Sequence, residues 1–354
     1  MFSSCSFKKV ISLILSSLCV FYLLSACGGN SLNGYEKYTG GRTDPDNSTV
    51  RIGYSGRIDE LPLIAAFEKG YFQDNGINAE LVKINDTDVM SEYVTKRLDA
   101  VTADYRYFKY IEQGLLLKVT VGLTAGCIRL LVPNGSKIKE IEDLKGSRIG
   151  IEDLGDGTMV LSSMLFSGNG IDAGSEIRWK PYGKNGFMKA FENNDIDAAC
   201  IWEPSEKASE FLKDKFRTLY TNAEQGTSGL KNGHSHGSGM HFTRTYAGIS
   251  ESLAVNYPEK AVYITKAWLQ GANWVSGNNA AAAGLMTDKG FVTGSYEENF
   301  NTLSSYMWTN GVSASKLNIK NTIKEQKNNG VLKENLDENE FFKKVFAGIL
   351  PEFY

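Results

Sequence analysis

The chain has 354 residues, of which 42% are hydrophobic, 22% charged and 11% aromatic, and this composition excludes low-complexity, collagenous and wholly disordered proteins. The 38 Lys and Arg residues against 41 Asp and Glu give a net charge of −3, so the strong basic field typical of nucleic-acid-binding proteins is absent. At roughly 100 to 200 residues per domain, the length indicates about two domains with sizeable cores.

The first 26 residues are typical of a secretory signal peptide. Lys8 and Lys9 precede an apolar run over residues 10–24, which is shorter than the roughly 20 residues of a permanent membrane-spanning helix. The run leads into residues 24–27, LSAC, which resemble a bacterial lipobox. Cys27 is therefore predicted to be the lipidated first residue of the mature chain. An ordinary signal peptide and an uncleaved anchor are the alternatives.

A polar segment follows the predicted lipidation site. Residues 27–49 are rich in Gly, Asn, Ser, Thr and Asp, so they predict a flexible tether rather than part of a core. No later apolar stretch reaches about 18 residues, so no second membrane span is predicted. The expected localisation is the extracytoplasmic face of a cell membrane, in the periplasm or on the outer surface.

From Val50 onwards, strand, loop and helix patterns alternate along the chain. Val50 to Tyr54 predicts a strand, and Asp59 or Glu60 is the predicted cap of a helix with Pro62 in its first turn. Further strands are predicted at 79–84, from 98, and at 148–151, 177–182 and 198–202, with a helix over 158–166. This alternation predicts two α/β lobes with parallel sheets covered by helices.

The C-terminal part is predicted to be helical as far as Phe346. A long helix is predicted to begin at Pro258, because apolar residues after it recur at helical spacing. The stripe predicted to face the core consists of Ala261, Ile264, Trp268, Ala272 and Val275.

Several motifs in order resemble one known family. Residues 61–82, LPLIAAFEKGYFQDNGINAELV, are similar to the opening of the nitrate/sulfonate/taurine and thiamine-precursor substrate-binding proteins of ABC transporters. RLDAV at 97–101, IEDLKGSRIGI at 141–151, the glycine loop at 155–158 and NDIDAACIWEP at 194–204 follow in the family's order. The resemblance implies a type II periplasmic-binding-protein fold, in which two α/β lobes are joined by a two-crossing hinge and a helical C-terminal extension follows.

The resemblance also implies where the chain divides. Hinge crossings are expected near residues 123–129 and 217–222, so lobe 1 comprises residues 50–126 plus 220–354 and lobe 2 residues 127–219. The ligand is expected between the lobes at the carboxyl ends of the strands, where open α/β sheets place their binding crevices.

Candidate ligand-binding residues follow the predicted strands, because helix N-termini and their unpaired N–H groups attract anions. The loop 155–158 is the strongest candidate anion site, although Asp156 would repel an anion unless it points away. Trp202, helped by nearby tyrosines, offers a flat surface for a ring or an alkyl chain. A helix cap or a core position is the alternative for each residue. The predicted ligand-binding residues are Tyr54, Ser55, Asp59, Asp104, Tyr105, Gly155, Asp156, Gly157, Thr158, Tyr182, Trp202 and Glu203.

All three histidines, His234, His236 and His241, lie in the loop NGHSHGSGMH. His-rich tracts can bind zinc, copper or nickel, but a Gly/Ser-rich surface loop is the alternative interpretation. No carboxylate or cysteine lies beside these histidines at a recognised zinc spacing. Because the three histidines are clustered, a metal-binding lipoprotein is the alternative function.

Two cysteines, Cys127 and Cys200, remain after the predicted maturation. In the implied fold, the strand that enters the second lobe can run antiparallel beside the strand that ends at Trp202. A disulfide, two buried thiols, or participation in ligand or metal binding are all open for this pair.

No H-E-x-x-H or nucleotide P-loop motif occurs, and neither an enzymatic activity nor a cofactor is predicted. The resembling fold also includes a pyrimidine-forming enzyme of thiamine biosynthesis, but its cysteine-rich motif is not found here. The resemblance implies a monomeric solute-binding component of an ABC importer that delivers a sulfonate, oxyanion or pyrimidine-like molecule to a permease and its ATPase. Arg57, Arg106 and Arg129 lie near the candidate loops, and an arginine in the cleft would favour an oxyanion. A sensory lipoprotein is a further alternative.

Overall fold

The computed structural model describes residues 48–85, 89–203, 215–222, 242–292 and 294–351. The predicted signal peptide, most of the predicted tether, Cys27 and the three histidines lie outside these ranges, so the interpretations made for them stay predictions. Within the described ranges, no helix combines the length and the apolar character needed to span a bilayer.

The first sheet combines parallel and antiparallel strands. β1 (Val50–Tyr54) lies between β2 (Ala79–Lys83) and β3 (Ala100–Ala103) and runs parallel to both. β9 (Phe242–Ser250) pairs antiparallel with β3 and with the first half of the 17-residue strand β4 (Leu117–Pro133). The prediction of an entirely helical C-terminal part is wrong at β10 (Met307–Asn310), because these residues pair antiparallel with β4 at Thr124 and Ala125.

The second sheet is built on the other half of β4. Residues 127–133 pair antiparallel with both β7 (Ala198–Glu203) and β8 (Phe216–Thr221). β5 (Arg148–Ile151) runs parallel to β7 and to β6 (Arg178–Pro181). The predicted parallel arrangement therefore holds for β1 to β3 and for β5 to β7. β4 enters both sheets and runs antiparallel to its neighbours, and β9 runs antiparallel to β3. The predicted residue ranges of the two lobes stay a prediction.

The helices lie between the strands and after β9. The helix predicted over 158–166 spans 157–168, and the helix that begins at Pro258 buries all five residues of its predicted stripe. Single-turn 3-10 helices occupy Ile58–Glu60 and Ile141–Leu144. The α-helices are α1 (Leu61–Glu68), α2 (Tyr71–Asp74), α3 (Val89–Thr95), α4 (Tyr107–Glu112), α5 (Gly157–Gly168), α6 (Ala173–Glu176), α7 (Gly183–Glu192), α8 (Glu251–Asn256), α9 (Pro258–Gly277), α10 (Asn279–Lys289), α11 (Tyr296–Ser305), α12 (Gly311–Asn328) and α13 (Glu338–Val345).

Helix α12 connects the two sheets through buried polar contacts. The Ser163 hydroxyl of α5 donates a 2.5 Å hydrogen bond to Glu325 of α12. The Gln326 amide of the same helix donates to the carbonyl oxygens of Tyr105, which follows β3, and of Gly155, which follows β5. Since buried polar groups must be hydrogen-bonded, these contacts fix the loop after β3 against the loop after β5. Helix α12 thus helps to position two of the loops that form the cavity described below.

Candidate functional site

A cavity of about 460 Å³ lies between loops of the two sheets. Most of its lining follows the carboxyl ends of strands β1, β3, β5, β6 and β7, as expected for a crevice in an open α/β fold. Its residues are Arg57, Asp59, Asp104, Tyr105, Arg106, Tyr110, Glu152, Asp153, Asp156, Gly157, Gly183, Trp202, Arg244 and Thr245.

One side of the cavity, here called the arginine wall, consists of Arg57, Asp59, Asp104, Arg106 and Arg244. Arg57 Nε lies 2.9 Å from Asp59 Oδ1, and Arg244 Nε lies 3.5 Å from Asp59 Oδ2. Arg106 approaches Asp104 through two nitrogens, Nη2 to Oδ2 at 2.7 Å and Nε to Oδ1 at 3.0 Å. Each guanidinium group of this wall therefore lies beside a carboxylate of the same wall.

Asp104 is held ionised by its arginines. Burial acts to raise the pKa of this carboxyl group, but the charge and the hydrogen bonds of Arg106, with the charge of Arg57, outweigh burial and lower the pKa to about 2. The Arg106 backbone N–H also donates to Asp104 Oδ1 at 2.9 Å, which orients the carboxylate toward its neighbour two residues later. A D-x-R sequence is thus sufficient to place this pair at the end of β3.

The loop after β1 is shaped by a buried carboxylate that does not line the cavity. Glu60 accepts hydrogen bonds from the backbone N–H groups of Ser55, Gly56 and Arg57, at 2.8 to 3.0 Å. Gly56 has a φ of 97°, a conformation that L side chains rarely adopt. This tight loop directs Arg57 and Asp59 toward the cavity.

The opposite side, here called the carboxylate wall, consists of Glu152, Asp153 and Asp156, all from the loop after β5. Asp156 is the N-cap of helix α5, and its Oδ1 accepts the Met159 N–H at 3.0 Å. Burial, and secondarily the charge of Glu152, raise the pKa of Asp156 to about 8. In the described part of the chain, no ion pair of 4.0 Å or less joins this wall to a basic side chain.

Trp202 lies where the two walls meet. A Cβ atom placed on Gly157 would come within 2.1 Å of the Trp202 ring, so only glycine lets the start of α5 approach this indole. The Arg244 guanidinium carbon lies 5.0 Å from the centroid of the Trp202 ring and 5.2 Å from that of Tyr306, at cation–π distance. Trp202 therefore contacts residues that belong to both sheets.

The structure brings six of the twelve predicted ligand-binding residues to the cavity. They are Asp59, Asp104, Tyr105, Asp156, Gly157 and Trp202. The expectation of an open anion site at 155–158 is wrong, because the Asp156 carboxylate itself caps the helix. Thr158 is fully buried, and its hydroxyl donates to Asp156 at 2.7 Å. Contact of the six residues with a ligand stays a prediction.

The other predicted residues do not line the cavity. Tyr54 packs edge-on against Phe291, with ring centroids 5.8 Å apart, and Ser55 donates to Glu60. Gly155 is buried beside Gln326, while Tyr182 packs against the core of the second sheet. Glu203 pairs through its backbone with Cys127 in β4. Arg129, near the predicted hinge, donates to Thr218 rather than facing the cavity.

Sequence reasoning missed several lining residues that have a recognisable pattern. Glu152 and Asp153 directly follow β5, so the rule that selected Asp104 after β3 applies to them as well. Arg244 is an arginine inside the otherwise buried strand β9, a position that usually indicates a specific partner. The remaining missed residues are Tyr110, Gly183 and Thr245.

The structure excludes a disulfide between Cys127 and Cys200, which was one of the three alternatives for this pair. Cys127 and Cys200 are both buried, and no disulfide joins them. β4 and β7 do run antiparallel as expected, but Cys127 lies opposite Glu203 and Cys200 lies opposite Leu130. This offset of three residues separates the thiols by roughly 10 Å along the strands, beyond the reach of a disulfide.

Metal ligands are not grouped in the described ranges. No cluster of three or more His, Cys, Asp or Glu side chains there has a geometry that would hold a metal ion. The three histidines lie outside those ranges.

Comparisons with known proteins identify a family and related sequences. The model of the NMT1-like family matches residues 43–287. A putative aliphatic sulfonates-binding protein of Bacillus subtilis is 24% identical over 283 residues, which is 76% of this chain and 75% of the relative. A putative binding protein of Brucella abortus is 30% identical over 169 residues, covering 45% of this chain and 49% of the relative.

Solved structures show the fold. The periplasmic aliphatic sulphonate binding protein SsuA from Escherichia coli superposes with a TM-score of 0.60 at 15% identity, covering 84% of this chain and 92% of that protein. The periplasmic nitrate-binding protein NrtA from Synechocystis PCC 6803 gives a TM-score of 0.59 at 12% identity, with 84% and 86% covered. The predicted periplasmic-binding-protein fold is therefore confirmed.

Proposed function

The chain belongs to the NMT1-like family, and on this premise we propose that it is the solute-binding component of an ABC importer. The observation that carries the proposal is the cavity of about 460 Å³ between loops of the two sheets, lined by charged groups and by Trp202. A cavity of this size suits a small molecule, and a few charged groups in a cleft provide orientation and specificity. The proposed role is binding rather than catalysis.

Lobe closure would couple binding to transport. The arginine wall comes from the first sheet and the carboxylate wall from the second, so a ligand that contacts both walls stabilises the arrangement in which they face each other. A ligand shifts such an equilibrium only by its differential affinity for the closed state. In this proposal the closed monomer docks on a permease, which receives the solute and works with an ATPase.

A thermal-shift screen tests the proposal on the full-length chain, purified in a mild detergent. The panel consists of sulfonates, oxyanions, pyrimidines and organic cations. A ligand at a hundredfold excess over its Kd stabilises the native state by about 2.7 kcal/mol, so a clear rise in Tm is expected for at least one class. The same ligand should change tryptophan fluorescence in the natural chain but not in Trp202→Phe. No rise in Tm with any member of the panel would contradict the proposal.

Membrane attachment through Cys27 is a separate part of the proposal. The lipobox-like residues 24–27 support it, because lipid on Cys27 would hold the folded lobes at the outer face of the membrane. Cys27→Ala is expected to abolish labelling by radioactive palmitate and to move the chain out of the membrane fraction. Cys19→Ala, within the predicted signal peptide, is the matched control and should leave labelling of the mature chain intact. Persistent labelling of Cys27→Ala would disprove the anchor.

A further inference from the structure

We propose that the ligand of the cavity is an organic cation, a protonated amine, amidine or guanidine on a flat or apolar body. The inference rests on the proposed function, since it names the ligand class of the same cavity. It is carried by the distribution of charge over the two walls and by the aromatic side chains beside them.

The arginine wall already contains its own counter-charges. Three guanidinium groups there lie beside two carboxylates, with Asp59 between Arg57 and Arg244 and Asp104 held by Arg106. A sulfonate arriving at this wall would compete with carboxylates that lie 2.7 to 3.5 Å from the arginines. Competition by fixed, buried carboxylates lowers the affinity for an anion.

The carboxylate wall makes no ion pair of 4.0 Å or less within the described residues, although the charge of Arg244 acts on Glu152 from a longer distance. Glu152, Asp153 and Asp156 raise the number of carboxylates in the cavity to five against three arginines. Asp156 is only 7% exposed, and its neighbour Glu152 has no basic side chain within ion-pair distance in the described ranges. Burial disfavours the ionised form of Asp156, so a bound cation would provide the counter-charge that lets this group ionise.

The N-terminus of helix α5 is already occupied by a carboxyl group of the chain. Asp156 occupies the N-cap and accepts the Met159 N–H, so its carboxyl group already uses the helix terminus at which an anion would bind. Burial raises the pKa of Asp156, and a cation bound beside this group would lower the pKa again, so that the carboxyl group releases its proton. The titratable groups that interact with Asp156 from neighbouring elements are Glu152 after β5, Tyr105 after β3 and Cys200 in β7.

Aromatic side chains in the same cavity suit the body of such a ligand. Trp202, Tyr105 and Tyr110 line it, and Trp202 already lies at cation–π distance from the Arg244 guanidinium. Aromatic rings attract cations through their quadrupoles, so the rings favour the same sign of charge as the carboxylate wall.

Matched probes test the sign of the ligand's charge. The full-length chain is screened by thermal shift and calorimetry with aryl and alkyl ammonium, amidinium and guanidinium ions, each paired with the uncharged amide and the sulfonate of the same skeleton. Benzamidinium, benzamide and benzenesulfonate form one such set. At least one cation is expected to bind at least tenfold more tightly than both of its partners. Its binding should release a proton, so the measured heat should depend on the ionisation enthalpy of the buffer.

Single-charge variants locate the contact. Glu152→Gln and Asp156→Asn should each weaken binding of that cation about tenfold, because Glu152→Gln removes a carboxylate from the wall and Asp156→Asn removes the carboxyl group that would ionise beside the bound cation. Asn also caps helices, so Asp156→Asn should fold. Glu334→Gln, a matched loss of one charge at an exposed position far along the chain, should leave the Kd unchanged.

The outcomes separate the two proposals. Binding of sulfonates, oxyanions or uncharged amides without binding of any simple organic cation would overturn the charge inference while leaving the solute-binding function intact. Equal effects of Glu152→Gln and Glu334→Gln on cation affinity would also overturn it. Failure of the whole panel to bind would count against both proposals.

Discussion

The two walls of the cavity are built in the same way but differ in how their charges are balanced. Both consist mostly of loops that follow parallel strands, and both place carboxyl groups in the lining of the cavity. On the arginine wall, the sequences R-x-D at 57–59 and D-x-R at 104–106 bring each acid and its base together locally. On the carboxylate wall, the sequence E-D-x-x-D at 152–156 contains no base at all.

The two walls show two roles of a carboxyl group: one stabilises the fold through an arginine, and the other is left to interact with a ligand. An acid with its own arginine keeps a low pKa and stabilises the loop that carries it, as Asp104 does. An acid buried without a base has a raised pKa and weakens the empty fold, as Asp156 does. A binding protein can retain such an unfavourable group because its ligand supplies the compensation.

Replacing Asp156 by Asn is expected to have the largest effect, and the effect should depend on pH. The pKa of Asp156 is raised from 3.8 to about 8, so between these values the unfolded chain has lost a proton that the folded chain still binds. Stability of the natural chain is therefore lost as pH rises from about 4 to about 8, by at most about 1.4 kcal/mol per pH unit. The stability advantage of Asp156→Asn should grow across this window and level off above pH 8.

Urea denaturation from pH 4 to pH 9 measures this difference. Asp337→Asn is the matched control, because Asp337 also caps a helix but is exposed. Its side chain is exposed to solvent in the folded chain, so Asp337→Asn replaces a helix cap without changing a buried carboxyl group. Parallel stability curves for Asp156→Asn and the natural chain would show that Asp156 is not penalised by burial.

Replacing Arg106 by Ala tests the other wall and should destabilise the chain by about 2 to 3 kcal/mol at pH 7. The change leaves Asp104 largely buried without its bidentate partner. Because the folded pKa of Asp104 is lowered to about 2, the stabilisation is present above pH 4 and is lost as pH falls toward 2. The cost of Arg106→Ala should therefore be smaller at pH 3 than at pH 7.

An exposed pair provides the control for this prediction. Lys343 lies 2.7 Å from Glu340, and both side chains are 70% exposed. Lys343→Ala should cost much less stability than Arg106→Ala, since solvent screens such pairs. If Arg106→Ala and Lys343→Ala lose equal stability in urea denaturation, the ion pair of Arg106 with Asp104 stabilises the fold no more than an exposed pair does.

Local patterns were sufficient to predict much of the fold. Strands 50–54 and 148–151 are present as predicted, and the stripe after Pro258 is buried, because alternation and helical spacing directly reflect which face meets the core. The rule that loops after strands approach a crevice selected Asp104, Asp156 and Trp202 correctly as cavity residues.

Long-range contacts account for what the sequence did not predict. Tyr54 packs against Phe291, and Arg244 meets Asp59, so partners nearly 200 residues or more apart decide which side chain faces the cavity. The register of β4 against β7 keeps Cys127 and Cys200 apart. Predicting that two strands pair does not predict which of their residues lie opposite each other. β10 formed at an edge of β4 that no local pattern reveals.

Gly157→Ala sets a local effect on helix propensity against a long-range steric effect at the residue that follows Asp156. Alanine is the better helix former by about 1 kcal/mol, so propensity alone predicts stabilisation. The added Cβ would lie 2.1 Å from the Trp202 ring, however, and overpacking typically costs about 1 to 3 kcal/mol. A net loss of about 1 kcal/mol in thermal or urea unfolding is therefore expected, together with weaker ligand binding as the indole shifts.

Gly284→Ala isolates the propensity term. Gly284 lies within α10 with no atom within 4 Å of an added Cβ, so this variant should gain up to about 1 kcal/mol. In a Trp202→Ala background the steric conflict is removed, and Gly157→Ala should then behave like Gly284→Ala. If Gly157→Ala stayed destabilising in that background, the glycine would be required by the helix start itself, and the contact between α5 and Trp202 would not be what fixes the carboxylate wall.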